Sequence, residues 1–79
     1  MFLVDDLAAA IADPVRRDIL VMLRDQRLAA GQIAARFVIR PAVSRHLRVL
    51  RESGLVRDRR VGRQRLYALD ASQFAGLIE

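Results

Sequence analysis

The chain has 79 residues, no cysteine and a formal net charge of +5; its length leaves no room for a second core, and the missing thiols exclude disulfide staples, thiolate metal sites and thiol nucleophiles. A chain this short buries only about 60–65% of its unfolded surface, so a lone monomer is marginal and dimerisation is the available extra source of stability. All fourteen basic residues are arginine: residues 36–65 hold ten of them against Glu52 and Asp58, a local balance of +8, whereas the remainder carries four arginines against seven acids, −3.

In chain order, Leu3, Leu7, Ala10 and Ile11 recur at i, i+4, i+7 and i+8 and predict a first helix over about 3–12. Asp13-Pro14 reads as the next helix start, with aspartate as N-cap and proline at the first helical position. Val15, Ile19, Met22 and Leu23 form the buried stripe of that second helix, while Leu20 and Val21 fall off it and are free to meet the first helix or another subunit. Residues 29–36, AAGQIAAR, predict a short third helix anchored by Ile33 and Phe37 and weakened at Gly31 by ~1 kcal/mol relative to alanine. Pro41 and Gly54 bracket a fourth helix over 41–52, proline in its first turn and glycine at the left-handed position past its end. Within it Val43, Leu47 and Leu50 face the core, Arg45, Arg48, Val49 and Glu52 point away, and Ser44 and His46 occupy the two margins. The period then changes to two. Leu55–Arg59 and Arg65–Leu69 predict a hairpin over 55–69, joined by Arg60-Val61-Gly62-Arg63-Gln64 with Gly62 able to take a positive φ. Asp70 caps a last helix over 71–79, where Phe74, Leu77 and Ile78 make an i, i+3, i+4 patch. Apolar runs such as Leu7–Ala12 and Ile19–Leu23 are far shorter than the about 18 residues of a membrane span, and Asp5 and Asp6 occupy the place of a basic leader region, so the expected location is cytoplasmic.

Together these elements predict a mainly α fold with a small β-hairpin, a single winged helix-turn-helix domain over 1–79 with its core in 13–69. A helix that enters a nucleic-acid groove needs one apolar face to dock on its domain and one face of donors. Ser44, Arg45 and Arg48 meet the second need, since the arginine fork matches the paired acceptors of guanine, and Arg40 is placed to reach phosphate. Taken alone, this is equally an ordinary solvated arginine face. The hairpin decides between them, because Arg57, Arg59, Arg60, Arg63 and Arg65 crowd one turn, where like charges repel without a counter-anion. An arginine wing tip can follow the phosphate backbone or enter a narrow minor groove. A GC-biased genome explains arginine in place of lysine, but not the clustering.

Other chemistry finds little support. His46 is the sole histidine and no acidic cluster has ligand spacing, so no metal or other cofactor is expected. No carboxylate pair is placed for acid–base work, and Ser44 and His46, two apart on a helix, diverge, so no catalytic residue and no enzyme activity are expected. His46 reads as a helix-margin residue that packs and touches DNA, and Tyr67 as a packing residue across the hairpin or a stacking group. The terminal patches Leu3, Leu7, Ile11 and Phe74, Leu77, Ile78 either complete the core or form a two-fold interface.

Asp13-Pro14-Val15-Arg16-Arg17-Asp18-Ile19-Leu20, followed by Ala42–Val56 with its Ser44-Arg45-His46-Leu47 run and a hairpin carrying Gly62-Arg63 and Leu66-Tyr67, resembles the ArsR/SmtB family of bacterial transcriptional repressors over roughly residues 7–70. The resemblance implies a homodimer built from the first and last helices, here 3–12 and 71–79, that binds a palindromic operator. It also implies a recognition helix carrying Ser44, Arg45, His46 and Arg48 and a wing carrying Arg60 and Arg63; Arg59, crowded into the same hairpin, is expected to meet DNA as well. Metal-sensing members place cysteine or histidine ligands where Leu28–Gln32 and Ala71–Glu79 have neither, so the likeness is to metal-independent members. Relatives cap the third helix with serine or threonine, where this chain has Ala29 or Ala30, and carry one more residue between the equivalents of Phe37 and Pro41. A missing cap costs about 0.5–2 kcal/mol, or the recognition helix starts later. Two other functions fit the same residues: a docking module for an acidic protein partner, and a ligand-responsive sensor.

Overall fold

Asp13 decides where the first two helices part. In the computed structural model, which describes residues 4–38 and 42–70 with side chains from Leu7 onward, it sits extended at φ −80° and ψ 127° between helix α1 (Val4–Ala12) and helix α2 (Pro14–Met22). Its Oδ1 accepts from the backbone N–H groups of Val15 (2.8 Å) and Arg16 (3.2 Å), and Pro14 fills the first helical position, as the sequence predicts.

After α2 the chain forms a strand that no periodicity announces. Strand β1 (Leu28–Ala29) is two residues long and leads directly into helix α3 (Ala30–Ala34). The expected third helix over 29–36 is therefore shorter, because its first residue is spent on a sheet. Ala29 offers no side chain as cap; instead its own N–H is taken by Gln32 Oε1 at 2.8 Å, half of a capping box. Helix α4 (Val43–Glu52) starts two residues later than the predicted 41–52, with Ala42 at the cap position and no side-chain cap bond. At its far end Gly54 takes φ 80°, Leu55 N–H donates to Leu50 O and Gly54 N–H to Arg51 O, both at 3.0 Å. These are the paired bonds of a Schellman stop, with Leu50 and Leu55 both buried across it.

Strands β2 (Val56–Val61) and β3 (Gln64–Leu69) pair antiparallel from Val56↔Leu69 to Val61↔Gln64. The five-residue loop expected at 60–64 is thus a two-residue turn, Gly62-Arg63, with φ 62° at Gly62 and no positive φ at Arg63, the arrangement of a type II′ turn. Strand β1 adds to the other side of β3 through Leu28↔Tyr67 and Ala29↔Leu66, so the expected hairpin is one part of a three-stranded sheet ordered β1-β3-β2.

Ile19 and Leu23 of α2, Ile33 of α3, Val43, Leu47 and Leu50 of α4, and Leu55 and Val56 fill the core together with Ala10 and Leu28. Leu7, Val15, Leu20, Met22, Phe37, Val49 and Tyr67 pack half-buried around it. Val49, expected on the outer face of α4, is therefore partly a core residue. Among the described residues no helix is long and apolar enough to cross a membrane. The predicted last helix over 71–79 lies outside the described residues.

Candidate nucleic-acid interface

Helix α4 is wedge-like: Val43, Leu47 and Leu50 are buried, whereas Ser44, Arg45 and Arg48 are exposed. At 100° per residue these three fall within one arc of about 100°, so a single groove could receive them together. Arg51 lies about 20° outside that arc on the Ser44 side and is engaged elsewhere, its Nη1 lying 3.3 Å from Asp58 Oδ2. The core residues set that arc, since turning the helix to expose another face would unbury three aliphatic side chains.

His46 departs from its expected place. It is 8% exposed, and its Nδ1 lies 3.3 Å from Nη1 of Arg16 in the first turn of α2. The periodicity puts it at the margin of the apolar stripe, and the α1–α2 corner closes over that margin. His46 is thus a buried residue in contact with α2, where the sequence places it at an outward margin of α4.

The hairpin sorts its arginines by the two-residue period of a strand. Asp58, Arg60, Arg65 and Tyr67 share the face that meets α4; Arg57, Arg59, Val61, Leu66 and Ala68 share the outer face. Arg60 and Arg65 stand directly opposite one another, an unfavourable pair if unrelieved. Asp58 relieves it: its Oδ2 accepts from Arg65 Nη1 at 2.7 Å and from Arg51 Nη1 at 3.3 Å, while its side chain is 13% exposed. The hydrogen bond from Arg65 is the main reason the Asp58 carboxyl lies below its ordinary value; burial opposes the shift, and the charges of Arg65 and Arg51 reinforce it. Arg65 is raised in return by the same bond. The crowding read from the sequence therefore carries its own counter-anion, and of the five hairpin arginines Arg57, Arg59, Arg60 and Arg63 make no ion pair among the described residues. Arg57 and Arg59 flank a shallow cleft floored by Leu66 and Ala68, with Arg27 also lining it. Arg60 and Arg63 lie exposed at and beside the turn.

The structure thus assembles Ser44, Arg45 and Arg48 on α4 and Arg60 and Arg63 at the wing tip, places Arg59 on the outer face of the wing, and removes His46 to the interior. Arg40, Leu3, Phe74, Leu77 and Ile78 lie outside the described residues. Of the predicted interface residues on α1, Leu7 packs half-buried on the core and Ile11 is 43% exposed. Sequence reasoning missed Arg16 and Arg17, whose side chains cap the end of α1, and Asp58 as the wing's internal anion. An aspartate two positions along the same strand face from an arginine was the available signal for the latter.

A helix-turn-helix domain family matches residues 11–59. The transcriptional regulator Rv2034 of Mycobacterium tuberculosis is 46% identical over 69 residues, 86% of this chain and 64% of its own length, so the chain spans just under two thirds of that relative. The transcriptional repressor SdpR of Bacillus subtilis is 39% identical over 64 residues, 80% of this chain and 71% of its own. Among solved structures, the ArsR family transcriptional regulator RHA00566 superposes with a TM-score of 0.80 at 28% identity, covering 94% of this chain and 77% of that one. The homodimeric winged helix-turn-helix DNA-binding domain of Mb0332 from Mycobacterium bovis does so at 0.81 and 31%, covering 94% and 69%. With three helices packed under a three-stranded wing and an arginine-faced fourth helix, the chain belongs to the ArsR/SmtB family of winged helix-turn-helix transcriptional regulators.

Proposed function

We propose that the protein is a sequence-specific DNA-binding repressor that acts as a homodimer on a palindromic operator. The observation that carries this reading is the exposed Ser44, Arg45 and Arg48 arc on a helix whose opposite face is locked into the core. Each subunit would lay α4 in a major groove, the two grooves about 34 Å apart, with the arginine-bearing wings on the flanking backbone. Arg45 and Arg48 read base edges, Ser44 adds a short donor or acceptor, Arg40, Arg60 and Arg63 meet phosphate, and Arg59 adds to the positive field of the wing. The dimer would use α1 and the segment 71–79, through Leu3, Leu7, Ile11, Phe74, Leu77 and Ile78. Ile11, an apolar residue left exposed at the end of α1, favours that assignment. Repression follows from occupying a promoter and excluding polymerase, in the cytoplasm and without a bound metal or cofactor.

Selection of bound sites from a random duplex library tests the reading. A recovered palindrome, bound in preference to random duplex at every salt concentration, is the expected result; equal affinity for all duplexes would sink it. Titration of dimer against monomer by sedimentation checks the assembly, and an Ile11→Asp variant should shift that equilibrium towards monomer.

A further inference from the structure

Two consecutive arginines at the start of α2 finish the helix before it. The last carbonyls of α1 have no partners within their own helix. Arg16 Nε donates to Ala10 O at 2.7 Å and Arg16 Nη2 to Ala9 O at 3.1 Å, while Arg17 Nη1 donates to Ile11 O and Ala12 O, both at 3.0 Å. Two side chains thereby satisfy the whole terminal turn of α1. Arg16 has one further reach: its Nη1 lies 3.3 Å from Nδ1 of His46, a buried residue of α4 that stands one position from Arg45 and two from Ser44 and Arg48.

A guanidinium nitrogen donates and never accepts, so a hydrogen bond across this contact requires Nδ1 as the acceptor and the ring proton on Nε2. One side chain therefore ties the end of α1 to the helix that carries the exposed arginine arc. We propose that Arg16 and His46 are positioning residues for DNA reading: their contact fixes the orientation of α4 on the α1–α2 corner, and the neutral imidazole is the form that binds the operator. The inference rests on the DNA-binding function proposed above and adds to it a coupling between the helix assigned to the dimer and the helix assigned to the groove.

The charged surroundings of the ring are sparse. The start of α2 brings Arg16 and, at its cap, the Asp13 carboxylate, which accepts from the N–H groups of Val15 and Arg16 and also interacts electrostatically with the His46 ring. α3 holds no ionisable residue, and Asp58 of β2 is committed to Arg65 and Arg51. On α4 itself Arg45 and Arg48 are exposed cations. A proton on Nδ1 would set N–H against N–H across the contact and add a cation beside the Arg16 guanidinium.

The test uses operator and random duplexes in a binding titration with the full chain. His46→Leu keeps volume and removes the acceptor; His46→Asn keeps an acceptor oxygen near the place of Nδ1. The leucine variant should lose operator affinity by about tenfold or more. Its slope of log affinity against log salt should match the wild type, because neither residue touches phosphate. The asparagine variant should retain affinity within a few-fold. Overturning results are a folded leucine variant with wild-type operator affinity, a salt slope lowered by about one unit, or an asparagine variant that loses as much affinity as the leucine one. Because the chain has one histidine, nitrogen-detected NMR of the free protein reads its tautomer without DNA. A proton on Nε2 that becomes mixed in Arg16→Lys supports the contact; a proton on Nδ1 in the wild type overturns it. A wild type that binds all duplexes alike would instead defeat the sequence-specific function proposed above, with the NMR result still deciding whether the contact exists.

Discussion

Helix α4 and the β2–β3 hairpin are both rich in arginine, yet they present it by different means. In α4 the period of 3.6 gathers Ser44, Arg45 and Arg48 onto one arc, and buried Val43, Leu47 and Leu50 fix where that arc points. In the hairpin the period of two divides the arginines between faces, and backbone pairing from Val56↔Leu69 to Val61↔Gln64 fixes the register with little side-chain burial beyond Val56. The helix is thus held by its core, and the wing by its ladder and by Asp58. Orientation in the first depends on hydrophobic packing; in the second it depends on turn geometry and one carboxylate.

The largest expected asymmetry is in stability. Leu47 is fully buried and Val61 is exposed. Leu47→Ala should cost about 2–5 kcal/mol, a large share of the about 5–15 kcal/mol that holds a small domain folded. Val61→Ala should stay within about 0.5 kcal/mol. Urea unfolding of the two variants would read the difference, and equal costs would mean that α4 is not core-anchored in solution. Next comes DNA reading. Arg45→Ala should cost about 1–3 kcal/mol at one base position of the operator and little elsewhere. Arg63→Ala should weaken specific and random duplex alike and lower the salt slope by about one unit. Indistinguishable profiles would erase the division between a reading helix and a backbone-following wing.

Much of this contrast was legible in the sequence, for physical reasons that also explain what was not. The α2 start was visible because Asp-Pro encodes both the cap and the fixed φ, and the α4 stop because a glycine follows a periodic apolar run. The arc of Ser44, Arg45 and Arg48 followed from helical geometry alone. Strand β1 was hidden because two residues, Leu28 and Ala29, have no period, and their strand character comes from pairing with Tyr67 and Leu66 far along the chain. The interior position of His46 depends on which helix covers its side of the stripe, a tertiary fact that residue spacing does not contain. Asp58 was counted as one acid among ten arginines, and its hydrogen bonds become apparent only once strand register and the α4–β2 packing are known.

Two glycines sharpen the comparison at smaller scale. Gly62 holds φ 62° with open space where a Cβ would stand, so Gly62→Ala should cost about 1 kcal/mol purely through the backbone. Gly31 lies within α3 without a positive φ and also faces open space. Gly31→Ala should therefore stabilise by up to about 1 kcal/mol. Thermal unfolding should move in opposite directions for the two, and a shift of the same sign would contradict either the tight turn or the helical start.

The smallest expected effect concerns the carboxylate on which the wing relies. The folded Asp58 pKa lies below the ordinary aspartate value because Arg65 donates to it, against the opposing pull of burial. A depressed folded pKa stabilises wherever the carboxylate is ionised in both states, that is above the unfolded value of about 3.9, and the gain is lost as pH falls through the folded value. With both arginine partners about half exposed, screening limits the gain to about 0.5–1 kcal/mol. Asp58→Asn should therefore be less stable than the wild type by that amount near pH 7, and the gap should close as pH falls below the unfolded value and through the lower folded one. A gap that persists undiminished into acid would show that residue 58 acts through packing, and that the wing's arginines are arranged by the strand ladder alone.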